Sequence, residues 1–88
     1  MSFGWALSDE AQASLVALPI EVQERAIDEL DRLANDPTQI ALREHDEVGV
    51  VDVVFELKSK THYLFFLVRP DHSTRLLKVQ AIGHFERA

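Results

Sequence analysis

Eighty-eight residues supply one compact domain, 1–88, and too little chain for a second core. At 47% hydrophobic and 27% charged residues, with three Gly, three Pro and no Cys, the composition excludes disordered, collagen-like, disulfide-stapled and zinc–thiolate classes. The net charge of −6 is polarised: residues 1–57 carry three Arg against six Asp and seven Glu, a balance of −10, whereas residues 58–88 carry six cations against Asp71 and Glu86, a balance of +4. Such asymmetry can place a basic face on an acidic protein. No apolar run approaches the ~20 residues of a membrane-spanning helix. The opening MSFGWALSDE has neither the basic start nor the long apolar stretch of a signal peptide. A cytoplasmic protein without a membrane partner is the expectation.

The segment Phe3–Leu7 predicts a short strand that ends at Ser8-Asp9-Glu10, where a hydroxyl can accept from free helix amides and acids suit the positive end of a helix dipole. Ala11, Leu15 and Leu18 then recur at helical spacing until Pro19, which suits the first turn of a second helix. That helix has Val22, Ala26, Leu30, Leu33 and Ala34 on one stripe, with Glu21–Arg25 and Asp28–Arg32 as i,i+4 pairs on the solvated side. It is expected to end at a left-handed Asn35, because Asp36-Pro37 cannot continue it. Residues 38–47 show no sustained period and are expected to form a loop anchored by Ile40 or Leu42.

The period then changes to two. Val48–Leu57 predicts a strand with Val51, Val53, Phe55 and Leu57 on one face and Asp52 and Glu56 on the other. Lys58-Ser59-Lys60 turns the chain, and His62–Val68, apolar on both faces, predicts an interior strand. Pro70-Asp71-His72-Ser73 is a turn signal, and Thr74–Ile82 returns as a strand that Gly83 closes. The fold class expected is α+β, an N-terminal helical hairpin on one face of a mainly antiparallel sheet of three or four strands. His45, His62, His72 and His84 show no metal-ligand spacing, and there is no Gly-rich phosphate loop and no Ser/His/Asp set, so neither metal nor cofactor is expected.

The order of elements, together with Leu18-Pro19-Ile20-Glu21-Val22, Arg32-Leu33-Ala34-Asn35-Asp36-Pro37 and the closing Ile82-Gly83-His84, resembles the RelE/ParE superfamily, the toxic partners of bacterial toxin–antitoxin operons. Phe55-Glu56-Leu57-Lys58 is similar to the Glu-Leu-Arg stretch of the related HigB toxins. The resemblance implies a toxin-like component neutralised by an antitoxin, with ribosome-bound mRNA or DNA gyrase as target. Its ribonuclease members hold RNA phosphates with cations on the sheet face opposite the helices. This sequence has Asp52, Val54 and Glu56 where such members carry Lys or Arg, Leu64 after Tyr63, and Phe85 after Gly83-His84.

An mRNA interferase with a degenerate site is therefore expected, and whether it is an enzyme stays open. The alternatives are a gyrase-targeting ParE-like toxin and a catalytically silent interaction module that self-associates as a homodimer or binds another protein. If RNA is cleaved, Arg75, Lys78, His84 and Arg87 are the candidate catalytic residues, as the cations and titratable group nearest the last strand and its exit. His84 stands equally for a structural hydrogen-bonding residue. Leu64 and Phe66 are the candidate partner-binding residues, expected on the open sheet face under an antitoxin or a second copy; the opposite register would put Tyr63 and Phe65 there instead.

Overall fold

The computed structural model describes residues 2–46 and 51–87. Its elements run β1 (Gly4–Leu7), α1 (Asp9–Val16), α2 (Ile20–Ala34), α3 (Pro37–Asp46), β2 (Val53–Lys58), β3 (His62–Asp71) and β4 (Leu76–Glu86). The sheet order is β1-β4-β3-β2, with β1 parallel to β4 and the other two pairs antiparallel. The expected α+β class and the interior position of β3 hold. Among the described residues no helix is long and apolar enough to cross a membrane.

Local chemistry explains the helices. Ser8 caps α1, its Oγ accepting from the Ala11 amide at 3.0 Å and donating to the Gln80 carbonyl at 2.7 Å, so one hydroxyl starts the helix and ties it to β4. The Gln23 side-chain amide donates to the carbonyls of Val16 and Leu18, satisfying the end of α1 from α2. The apolar stripe of α2, from Val22 to Ala34, is buried as its spacing requires. Arg32 pairs with Glu29 and reaches the Gln39 side chain, in place of the expected i,i+4 partner Asp28.

Two expectations fail between α2 and β2. Asn35 does not adopt the left-handed conformation, standing at φ −93° and ψ 7° with its side-chain amide donating to the Asp31 carbonyl at 2.8 Å. Residues 38–47 were expected as a loop, yet Pro37–Asp46 is a helix. The dipeptide that stops α2 also starts α3: Asp36 accepts from the Gln39 amide at 3.1 Å, and Pro37 occupies the first helical position, where a missing N–H costs nothing. Ile40 is fully buried and anchors α3, while Leu42 is 60% exposed and anchors nothing. Of the expected Val48–Leu57 strand, 48–50 lie outside the described residues, Val51 is exposed, and β2 runs to Lys58.

One face of the sheet carries the core. Val53, Phe55 and Leu57 of β2 stand opposite Val68, Phe66 and Leu64 of β3, and all six are buried with α1 and α2 residues. Leu64 and Phe66, expected on the open face beneath a partner, are therefore 0% exposed inside the chain's own core. Directly opposed residues share a face, so β2 and β3 leave only the odd positions of β3 for the far side. A bulge follows: Leu67 pairs with Ala81 but Val68 with Val79, leaving Gln80 without a ladder partner. It shifts the inward parity of β4 from Leu77 and Val79 to Ile82, and frees the carbonyl that Ser8 holds. Gly83 does not close the strand, which continues to Glu86.

The register predicts an asymmetric response to truncation. Phe66→Ala should lose about 3–5 kcal/mol in urea unfolding, and Phe85→Ala, 54% exposed, about 1 kcal/mol or less. Equal losses would contradict the register.

Candidate functional site

On the face away from the helices, Tyr63 pairs with Phe85 and Phe65 with Gly83 across β3 and β4. The three rings form a cluster, with Tyr63 and Phe85 nearly parallel at 5.5 Å, Tyr63 and Phe65 stacked at 5.2 Å, and Phe65 and Phe85 tilted at 5.7 Å. They half-cover one another, which is how β3 remains apolar on both faces without a second helical layer. Val54 and Leu67, a cross-strand pair on the same face, extend the apolar surface. Gly83 leaves open space where a Cβ would stand.

Acids and cations border this patch in closed pairs. The Tyr63 hydroxyl donates to Glu56 at 3.2 Å, and this bond, reinforced by the carboxylate's charge, holds the phenol pKa above its ordinary value, with Arg87 opposing weakly. Arg69 donates to both oxygens of Asp52, at 2.7 and 3.3 Å, which raises its own pKa further. Lys78 pairs with Asp71 at 3.1 Å. The Ser73 hydroxyl, then Lys78, then the Thr74 backbone hold the Asp71 carboxyl well below the usual carboxylate range. Asp52 and Glu56 thus occupy this face as the alternation of β2 required, and they engage its hydrogen-bond donors.

The four candidate catalytic residues do not converge. Lys78 stands on the open face, opposite Arg69 and between the inward Leu77 and Val79. His84 pairs with Leu64 and so belongs to the helix-side face, where its ring lies 5.9 Å from that of His62. Six residues of strand, roughly 20 Å, separate the two. Arg75 lies in the β3–β4 turn, at φ 55°, with its guanidinium 4.3 Å from the centre of the Phe3 ring. Arg87 is at the opposite end of β4, donating to the Ser59 carbonyl through its side chain and to the Thr61 carbonyl through its amide.

The structure assembles a different cationic set. A groove of about 580 Å³ opens between the first turns of α2 and the β2–β3 turn, lined by Arg25, Lys58, Lys60 and Arg87 with Glu21 and Val22. Sequence reasoning noted Lys58, Lys60 and Arg87 singly but missed Arg25, which it assigned to the solvated side of α2. No sequence signal links a residue on a helix to a turn more than thirty positions away. Among the described residues, no group of three or more His, Asp or Glu could hold a metal ion.

No protein-family model matches the chain, and no curated protein matches it. Solved structures do. The free state of a doubly substituted RelE toxin of Escherichia coli superposes with a TM-score of 0.72 at 15% identity, over 94% of this chain and 83% of that one. A chain of the RelBE2 toxin–antitoxin complex of Mycobacterium tuberculosis superposes with a TM-score of 0.64 at 14% identity, over 97% of this chain and 100% of that one. The chain has a RelE-like fold.

Two titrations check the face. This chain has one Tyr, so phenolate absorbance reports Tyr63 alone; Glu56→Gln should lower its midpoint, and an unchanged midpoint would dissolve the Tyr63–Glu56 bond. Because the folded pKa of Asp71 is depressed, its stabilisation is present above the unfolded value near ~4 and is lost as pH falls below it. The Tm gap between wild type and Asp71→Asn should be open at neutral pH and close in acid.

Proposed function

We propose that this chain is the toxin-like component of a toxin–antitoxin pair, held inactive by an antitoxin in the cytoplasm. The observation that carries the reading is the likeness of nearly the whole chain to free RelE and to a chain of the RelBE2 complex, with the same fold over 94% and 97% of its length. Fold alone does not set function, so the site must refine it.

Cleavage of RNA needs cations free to stabilise charge on the scissile phosphate. On the open sheet face Lys78 and Arg69 are each joined to a carboxylate, and Glu56 borders the aromatic cluster. Arg75, Lys78, His84 and Arg87 are divided between two faces and two ends of β4, which argues against one nuclease site built from them. The exposed Phe85 and the adjoining Tyr63, Phe65 and Val54 suit protein contact better than a phosphate backbone. This surface favours a second reading within the first, a protein target such as gyrase in place of ribosome-bound mRNA.

Expression in bacteria tests both levels. The chain alone should arrest growth, and co-expression of the product of an adjoining small gene should relieve the arrest. Purified chain should cleave mRNA on the ribosome poorly or not at all. Growth unaffected by the chain alone would overturn the toxin reading and favour a silent interaction module. Robust cleavage lost in Lys78→Ala and Arg87→Ala would overturn the argument against a nuclease.

A further inference from the structure

The groove between α2 and the β2–β3 turn gathers four of the chain's nine Lys and Arg around one carboxylate, Glu21, on a protein whose net charge is −6. Its cations come from three places in the fold: Arg25 from α2, Lys58 and Lys60 from the turn, and Arg87 from the exit of β4. Arg87 is fixed there by the Ser59 carbonyl, and Ser59 is itself locked, its hydroxyl donating to the His62 carbonyl at 3.0 Å and accepting from the His62 amide at 2.9 Å. The turn that presents Lys58 and Lys60 is therefore a built structure. The groove lies at the opposite end of β4 from the Lys78–Asp71 pair, and it adjoins the aromatic face where Lys58 pairs with Tyr63.

We propose that this groove docks an acidic, amphipathic segment of a protein partner. The identity of that partner as an antitoxin rests on the toxin–antitoxin reading. Charge complementarity sets the sign of the occupant, since like charges brought against four cations are repelled and carboxylates are drawn in. Size argues against a lone inorganic anion, because about 580 Å³ is roughly twenty times the ~30 Å³ share of a water in the liquid. Val22 and the aliphatic stems of Lys and Arg give the walls an apolar character that receives a hydrophobic side chain between carboxylates.

A single strand of nucleic acid fits less well, because its bases need aromatic faces to stack on and none lines this groove. The nearest rings, those of Tyr63 and Phe85, stand across the Lys58–Tyr63 pair beside Glu56, whose carboxylate repels a phosphate backbone. Lys58 ends β2, an outer strand of the sheet, so a segment leaving the groove meets a strand edge.

The test uses the full chain and the product of the adjoining gene, the pair whose growth relief tests the toxin reading. Arg25→Glu combined with Lys60→Glu reverses two charges at exposed positions, and thermal melts confirm that the variant stays folded. By titration calorimetry the double variant should bind the partner about tenfold more weakly or worse, and its affinity should depend less on salt than that of wild type. Arg25→Lys with Lys60→Arg should retain wild-type affinity.

Equal binding by wild type and the charge-reversed variant would overturn the groove as a docking site while leaving the toxin–antitoxin reading intact. Absence of both binding and growth relief for wild type would overturn that reading and the partner with it. Displacement of the partner from the groove by an oligoribonucleotide, or self-association of wild type that the reversal abolishes in light scattering, would overturn the protein-partner assignment in favour of nucleic acid or a second copy.

Discussion

The registration of β3 against β2 and β4 is the constraint on which this molecule depends. With Leu64, Phe66 and Val68 opposite Leu57, Phe55 and Val53, three inward pairs form the floor on which α1 and α2 pack. A slip of one residue would send the whole apolar set to the other side of the sheet. The same pairing forces Tyr63 and Phe65 outward, where Phe85 joins them, so the core and the exposed aromatic face are two consequences of one alignment.

The bulge at Leu67/Val68 divides β4 into two stretches of opposite parity. Near the β3–β4 turn, Leu77 and Val79 point to the helices and Lys78 to the open face; beyond the bulge Ile82 points inward and His84 shares its face. Charges that look clustered in the sequence are thereby distributed to different surfaces. Asp52 of the acidic half then meets Arg69 of the basic half across the sheet, and Asp71, one of the two acids of the basic half, takes Lys78. With Arg69 and Lys78 each engaged by a carboxylate, the middle of this open face is a poor receptor for phosphate and a reasonable one for apolar side chains. The positive balance survives at the other end of the sheet, where Lys58, Lys60 and Arg87 meet Arg25.

Much of this was legible before any coordinates. The α2 stripe, the period-two alternation of Val53, Phe55 and Leu57, the Ser8 cap and the α+β order follow from local rules that need only neighbours a few residues apart. Helix α3 was legible too but misread, because Asp36-Pro37 is at once a terminator of one helix and a cap with Pro at the first position of the next. Its weak periodicity, with Ile40 inward and Leu42 outward, concealed the rest.

The sequence by itself determined which residues are apolar and that β3 would be apolar on both faces. Only the tertiary structure decided which face of β3 is the inner one, since an alternation of two aromatic and aliphatic sets, Leu64–Phe66 and Tyr63–Phe65, is symmetric until helices are laid on one of them. It also decided the grouping of charges. Lys78 and His84 lie close in sequence yet fall on opposite faces because a single unpaired residue, Gln80, intervenes, whereas Arg25 and Lys60 are distant in sequence yet share a groove because a helix packs across the end of a sheet.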